Sequence, residues 1–358
     1  MITAVLHRDI NNETPVFLDL PASRWDVLTA KAQLGVDNLN KCGFEFEPSS
    51  DLPQAGKVLH GMRKGPNFFN EVNYFAQRIS ELSHENRILL NGTIAIYGPE
   101  DMKSLINLTW HLDDIVMGDA GSDEELGRFL IENEMVDFPE EIVPFLDFTK
   151  VGEHHRANHT AAFDRNLYYE DLSPGIEEIY DGRNLPEMPD WVFRVEMQNI
   201  NVPPEDALHI ILTLPASQEE IDQTMIDLEV SGIDEIQIER CHSRISDIHH
   251  FDRADLADLN NLATLISEMG DDTYLKFMAV VEHQRLHEAP YDMRCNNAIG
   301  GLSQAAYRLD EYDFTPGIRP EDIGSYGLVQ RPNQAQEMAQ EIEAQKPSPD
   351  FDMQMGGF

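Results

Sequence analysis

The segment "FLDLPAS" (17–23) and its near-copy "ILTLPAS" (211–217) hold the strongest clue to the fold of this chain. In each, an apolar run ends at a Leu-Pro-Ala-Ser sequence, which predicts a strand over 16–20 and a second strand over 209–214. Because the same element occurs twice, we expect two copies of one structural module.

The residues after each proline predict a helix start. Ser23 is followed three residues later by Asp26, and Ser217 by Glu220, which is the spacing of a capping box. A nucleophilic serine is the alternative interpretation, but no histidine or lysine recurs beside both serines. We therefore interpret both serines as helix caps.

Two further blocks recur in the same order at nearly constant spacing. Segment 70–82 matches 257–269, and segment 105–127 matches 302–324 without a gap. The first pair has apolar residues at helical spacing, which predicts an amphipathic helix in each copy. These apolar residues are Val72, Phe75, Ile79 and Leu82 in one segment and Leu259, Leu262, Ile266 and Met269 in the other.

The third block predicts a second kind of helix in each copy. It begins near Asp123 or Glu321 with an acidic first turn, which suits the positive end of a helix dipole. Gly127 and Gly324 match, and we expect them to allow close packing or a helix irregularity. The first copy then continues through "FPEEIVPFLDF" (138–148), which the second copy lacks.

These repeats predict the domain organisation. We expect a first module over 1–163, a linker over 164–190, a diverged second module over 191–345 and a disordered tail over 346–358. The fold class is α+β, with two tandem small mixed modules in an elongated chain with a strongly acidic surface. The linker acids Glu170, Asp171, Glu177 and Glu178 are expected to continue that surface from one module to the next.

The charge of the chain restricts its partners. Its 358 residues include 65 Asp and Glu against 26 Lys and Arg, a formal net charge of −39. Such a field repels nucleic acid and anionic membranes, so we expect no direct nucleic-acid binding, no membrane association and a cation-lined partner. The acids alternate with apolar residues, which indicates a folded acidic protein rather than a disordered tail.

The cellular location also follows from composition. The first residues, "MITAVLHRDI", lack the pattern of a secretory signal, and the three cysteines are scattered without metal-ligand spacing. We therefore expect a cytoplasmic protein with reduced thiols.

Motifs for chemistry are absent from the sequence. It contains no phosphate-binding loop, dinucleotide fingerprint, HExxH motif or paired CxxC. His155 and His159, with Glu153 nearby, have ligand spacing, but a zinc site needs three or four ligands and no further one is obvious. We expect no catalytic residue, no cofactor and no metal site, and leave open whether these histidines bind a metal.

Three segments of the first copy carry a resemblance to a known family. They are "NYFAQRISELSHEN" (73–86), "DEELGRFLIENE" (123–134) and "FPEEIVPFLDF" (138–148). In this order they resemble the ArdA antirestriction proteins of conjugative elements of Gram-positive bacteria. The resemblance covers most of 15–160 and, more faintly, 207–328. The chain departs from the family in having two modules where a typical member has one.

The resemblance implies a non-enzymatic protein that imitates bent B-form DNA. Such a protein occupies the DNA-binding groove of a type I restriction–modification enzyme, a host defence enzyme, where carboxylates meet the Lys and Arg side chains that bind phosphates. The candidate acids for this role act through their collective field. They are Asp113, Asp114, Asp123, Glu124, Glu125, Glu132, Glu134, Asp137, Glu140, Glu141, Asp147, Asp310, Glu311, Glu321 and Asp322.

Two alternatives remain open at the level of sequence. An acidic inhibitor of another nucleic-acid machine, such as a CRISPR nuclease, would have the same composition. A halophile-type acidic enzyme with an unrecognised site would also carry many carboxylates. Whether the chain forms a homodimer, and whether the second module mimics DNA or mediates assembly, is left open.

Overall fold

Helices and small antiparallel sheets alternate along the chain, which confirms the α+β class. The structure, a computed structural model, describes residues 2–8, 15–47, 52–136, 139, 141–203, 206–243, 245, 256–284, 298–316 and 326–330. The chain divides into two compact units, Met1–Pro189 and Asp190–Phe358.

Unit 1 contains two three-stranded antiparallel sheets, of strand order β2-β1-β3 and β4-β6-β5. Its strands are β1 (Ile2–His7), β2 (Val16–Leu20), β3 (Gly43–Glu47), β4 (Ile115–Gly118), β5 (Thr160–Asp164) and β6 (Leu167–Asp171). Its helices are α1 (Arg24–Leu34), α2 (Pro53–Gly61), α3 (Phe68–Glu81), α4 (His84–Tyr97), α5 (Met102–Asn107), α6 (Asp123–Glu132) and α7 (Phe148–Asn158).

Unit 2 contains a three-stranded antiparallel sheet of order β8-β7-β9 and a two-stranded sheet, β10-β11. Its strands are β7 (Phe193–Asn199), β8 (Ile210–Leu214), β9 (Ile236–His242), β10 (Asp313–Pro316) and β11 (Gly327–Gln330). Its described helices are α8 (Gln218–Asp227), α9 (Leu256–Ser267), α10 (Asp271–His283) and α11 (Ala298–Tyr307).

The Leu-Pro-Ala-Ser element has the same local structure in both units. Strands β2 and β8 end at Leu20 and Leu214, and the following peptide bond to proline is cis in each case. Ser23 and Ser217 then cap α1 and α8 through complete capping boxes, as the sequence spacing predicts. The interpretation of both serines as helix caps is therefore confirmed.

An asparagine fixes this corner in each unit. The Ala22 N–H donates to Asn73 Oδ1 at 2.6 Å, and Asn73 Nδ2 donates to the Ala22 carbonyl at 2.9 Å. Asn260 makes the same pair of bonds with Ala216, at 2.8 and 3.0 Å. Because Asn73 lies on α3 and Asn260 on α9, the amphipathic helix of each unit is tied to the strand–helix corner.

The remaining matched segments also agree in secondary structure. Segments 70–82 and 257–269 lie largely on α3 and α9, and the first three residues of each predicted apolar stripe are buried. The fourth residues, Leu82 and Met269, lie just beyond the helix ends and are half-buried. In the third block, α5 is followed by a short 3-10 helix and β4, and α11 by a short 3-10 helix and β10. The helix start near Glu321, Gly324 and the predicted tail over 346–358 lie outside the described residues.

The linker expected over 164–190 is wrong, because most of it belongs to unit 1. Strand β6 is the central strand of its sheet, paired with β4 on one side and β5 on the other. Farther along, Tyr180 is buried in the first core, and the Pro189 carbonyl accepts a bond from the Arg24 N–H at 2.7 Å. The prolines and glycines after β6 mark an irregular segment that packs against the unit instead of leaving it.

Helices α6 and α7 approach each other closely at two glycines. A Cβ atom on Gly127 would overlap the Phe148 carbonyl oxygen, and one on Gly152 would overlap the Asp123 carbonyl oxygen. Close packing, one of the two roles expected for Gly127, is therefore confirmed, and Gly152 provides the matching surface on α7. Arg156 of α7 adds two bonds to the Asp123 carboxylate, at 2.8 and 3.0 Å.

We expect Gly127→Ala and Gly152→Ala each to lower the free energy of unfolding by about 1–3 kcal/mol, because the helices must separate to admit the methyl group. Gly61→Ala is the matched control, since this helical glycine has no atom within 4 Å of an added Cβ. Urea unfolding followed by circular dichroism measures the difference. Equal stability of all three variants would contradict the close approach of the two helices.

The position of β6 predicts where the chain can be divided. A fragment of residues 1–189 retains every strand of unit 1, and we expect it to unfold cooperatively on heating. A fragment of residues 1–165 lacks the strand between β4 and β5, so its second sheet cannot form. We expect it to aggregate or to lose the cooperative transition, which calorimetry detects; a cooperative transition in both fragments would refute the assignment.

Candidate functional site

Most of the candidate acids lie on the surface of their unit. Ten are exposed: Asp113, Asp114, Glu124, Glu125, Glu132, Glu134, Glu141, Asp147, Asp310 and Glu311. Asp123 is partly buried under its ion pair with Arg156. The remaining four, Asp137, Glu140, Glu321 and Asp322, lie outside the described residues.

The exposed candidate acids differ in their partners. Three form ion pairs with nearby cations: Glu124 with Arg128 at 2.8 Å, Asp147 with Lys150 at 3.2 Å, and Glu311 with Arg308 at 2.5 Å. Within the described ranges the other seven form no ion pair; they are Asp113, Asp114, Glu125, Glu132, Glu134, Glu141 and Asp310. Their negative charge is therefore available to a cationic partner.

The acidic helix α6 is held in a fixed position. Ser122 caps its first turn by accepting a bond from the Glu125 N–H, and Leu126 and Leu130 are buried beneath it. Its opposite face carries Glu124, Glu125 and Glu132 into solvent. The helix therefore displays carboxylates from a packed scaffold instead of a mobile loop.

Two acids expected on the surface are buried. Glu170 and Asp171 lie on β6, with 3% and 7% of their surface exposed. Since neighbouring side chains of a strand point to opposite faces, each carboxylate enters a different side of the sheet. For these two acids the expectation of a continuous acidic surface is wrong, because α4 covers one face of the central strand and α7 the other. Glu177 and Glu178, farther along the chain, are exposed as expected.

Asp171 has a complete set of donors. It accepts hydrogen bonds from the Tyr97 hydroxyl on α4 and from the Ser173 N–H at 2.8 Å, and His111 Nε2 lies 2.7 Å away. Burial by itself raises the pKa of this carboxyl, but the bonds from Tyr97, His111 and Ser173 outweigh it and lower the pKa to about 2. Asp171 is therefore a buried anion that ties β6 to the helical layer.

Glu170 occupies the other side of β6, next to α7. The Tyr168 hydroxyl donates to its Oε2 at 2.9 Å, and His155 Nε2 lies 2.9 Å from the same oxygen. His159 Nε2 lies 3.8 Å from Oε1. Among the described residues, His155, His159 and Glu170 form the group whose atoms are close enough to hold a metal ion. Glu153, the acid that the sequence suggested, is exposed and is not part of it.

The sequence did not reveal Glu170 as the third member of this group. It lies in the segment interpreted as a linker, and only the aromatic pair Tyr168-Tyr169 there favours a strand. Its neighbour across the sheet is Ala161, two residues after His159, and this register places the carboxylate beside the histidines.

Comparisons with known proteins do not add to these observations. A scan against protein-family models finds no match to the chain, and neither do searches of curated proteins and of solved structures. Within the described ranges, every helix is too short or too polar to cross a lipid bilayer.

The Asp171 cluster predicts a pH-dependent stability. A carboxyl whose pKa is lowered by folding stabilises the protein above its unfolded pKa of about 4, and this contribution is lost as pH falls towards its folded value. We expect Tyr97→Phe to lower the free energy of unfolding by about 1.5–3 kcal/mol above pH 4, because a bond to a charged acceptor is lost. The deficit relative to wild type should shrink as pH falls towards 2.

Urea unfolding at several pH values between 5 and 2.5 measures this deficit. Tyr74→Phe serves as the control, since the Tyr74 ring packs against Trp110 and Tyr180 and its hydroxyl makes no hydrogen bond in the described structure. A deficit for Tyr97→Phe that stays constant with pH would show that Asp171 is not the group affected.

Proposed function

We propose that this chain is a non-enzymatic DNA mimic that occupies the DNA-binding groove of a type I restriction–modification enzyme in the cytoplasm. The observation that carries the proposal is the set of exposed, unpaired carboxylates on α6 and in the segment that follows it; α6 is a helix fixed by packing and capping. The resemblance of 73–148 to ArdA proteins points to the same target.

The overall charge supports a cationic partner. If every Lys and Arg were paired with one acid, 39 carboxylates would still lack a cation. Assembling so many like charges on a folded chain destabilises it through self-repulsion, and binding to a cation-lined groove relieves that repulsion. Duplex DNA carries one negative charge per roughly 1.7 Å of its axis, and its binders line their grooves with Lys and Arg.

The rigidity of α6 supports mimicry over diffuse attraction. Contacts to phosphates position a protein on DNA and do not read the bases, so an imitation needs only charges at fixed places. The close packing at Gly127 and Gly152 and the Asp123–Arg156 pair hold α6 on α7. Carboxylates on this platform need little ordering when they bind, which lowers the entropic cost.

We also propose that the two units are diverged copies of one module. Both contain a three-stranded sheet whose first strand is central, a capping box and an asparagine that clamps the corner. A second copy would add a further acidic surface to the same chain, raising the local concentration of the second contact to roughly millimolar.

We expect purified chain to inhibit DNA cleavage by a type I restriction enzyme, and this inhibition to weaken steeply as salt rises. The triple variant Glu132→Gln, Glu134→Gln, Glu141→Gln removes three unpaired carboxylates, one on α6 and two in the segment that follows it. Since each exposed contact contributes about 0.5 kcal/mol, we expect affinity to fall about tenfold.

The matched control is Glu45→Gln, Glu47→Gln, Glu85→Gln, which removes the same charge from exposed positions on β3 and α4. If both triple variants lose the same affinity, net charge and not the α6 surface determines binding. No inhibition by the wild-type chain at low salt would refute the type I enzyme as the target.

A further inference from the structure

We propose that His155, His159 and Glu170 form a Zn²⁺ site in unit 1. The three side chains come from the last turn of α7, the residue that ends it and the central strand β6. Zinc sites made of two histidines and one carboxylate leave a fourth position for water or a partner's ligand. None of the three residues is a candidate acid, so the site can be tested separately from the proposed DNA mimicry.

The distances between the ligand atoms fit a tetrahedral ion. Two atoms that each lie about 2.0–2.1 Å from zinc are roughly 3.3 Å apart when the angle between them is tetrahedral. His155 Nε2 lies 2.9 Å from Glu170 Oε2, and His159 Nε2 lies 3.8 Å from Glu170 Oε1. All three ligand atoms lie within 4.8 Å of one another, so side-chain shifts of at most about 1.5 Å bring each pair to the tetrahedral separation.

The surroundings orient the ligands. His159 Nδ1 lies 2.6 Å from the His155 carbonyl oxygen, which requires the N–H at Nδ1 and leaves the Nε2 lone pair for a metal. The two imidazole rings stack with their centroids 3.9 Å apart, as expected for histidines four residues apart at a helix end. Binding one ion requires one ring to rotate out of this stack so that both Nε2 lone pairs converge. The Tyr168 hydroxyl donates a hydrogen bond to Glu170 Oε2 and so orients this carboxylate.

The electrostatics of the site favour a bound cation. Glu170 is buried, and its described polar partners are one hydroxyl and two histidines, which carry charge only when protonated. A buried carboxylate needs a compensating charge. The C-terminal end of α7 adds the negative end of a helix dipole. Arg156, which follows His155 on α7, is already paired with Asp123, so it does not neutralise Glu170.

Access to the site is open on one side. The His159 side chain is 41% exposed, whereas those of His155 and Glu170 are 13% and 4% exposed. An ion can therefore enter from solvent past His159, and the fourth position faces the same way. Imidazole with carboxylate is a ligand set that suits Zn²⁺, and the related ion Co²⁺ reports tetrahedral geometry through its visible absorption.

The test is calorimetric titration of the chelator-treated full chain with ZnCl₂ in about 0.3 M NaCl with excess Mg²⁺, which suppresses diffuse binding to surface carboxylates. We expect one tight equivalent of Zn²⁺ per chain, a rise in melting temperature and the visible bands of tetrahedral Co²⁺. His159→Ala and Glu170→Gln should each weaken binding by more than about tenfold, since even partners outside the ligand set cost 10–100-fold.

Two controls separate this site from other histidines. His154→Ala removes the exposed neighbour of His155 on α7, and the double variant His249→Ala, His250→Ala removes the adjacent pair elsewhere in the sequence. We expect both to bind Zn²⁺ as wild type does. Absence of a tight equivalent, or binding that survives in His159→Ala and Glu170→Gln, would overturn the proposal. His159→Ala decides the matter if Glu170→Gln fails to fold, because His159 is partly exposed.

Discussion

The burial of two adjacent carboxylates on β6 is the constraint on which the second half of unit 1 depends. A buried charge is strongly destabilising unless hydrogen bonds and opposite charges compensate it. Asp171 obtains these from Tyr97, His111 and Ser173 on one side of the sheet. On the other side, Glu170 accepts a hydrogen bond from Tyr168 and lies next to His155 of α7. Strand β6 therefore holds α4 on one face of the sheet and α7 on the other.

The acidic surface is positioned through this strand. Glu170 holds α7 against the sheet, and α7 in turn meets α6 where Gly127 and Gly152 allow the two backbones to approach. The exposed carboxylates of α6 are thus connected to a buried one through packed elements. A Zn²⁺ ion bound by Glu170, His155 and His159 would strengthen the contact between β6 and α7. It would thereby restrict the motion of α6, whose exposed carboxylates we propose as the DNA mimic.

At the Leu-Pro-Ala-Ser corner, both units use the same residue types to satisfy backbone hydrogen-bonding groups. The backbone at Ala22 and Ala216 turns from a strand into a helix, and its N–H and carbonyl would be left without partners. Asn73 and Asn260 satisfy both groups with one amide side chain. This clamp uses no charge, so it is insensitive to the large negative field of the chain.

What the sequence by itself determined is local. Capping boxes at Ser23 and Ser217, apolar stripes on α3 and α9 and the acidic first turn of α6 depend on residues a few positions apart, and the structure confirms each. The net charge, a property of composition, also needs no structure.

Only the tertiary structure showed that residues 164–189 belong to unit 1 and supply the central strand β6 of its second sheet. A strand covered on both faces shows no alternation of polar and apolar residues, so "NLYYED" (166–171) does not predict a central strand. Its central position follows from its pairing with β4, which is distant in the sequence, as well as with its hairpin neighbour β5. That register alone brings Glu170 to His155 and His159, because contacts across a sheet are set by strand pairing and not by sequence spacing.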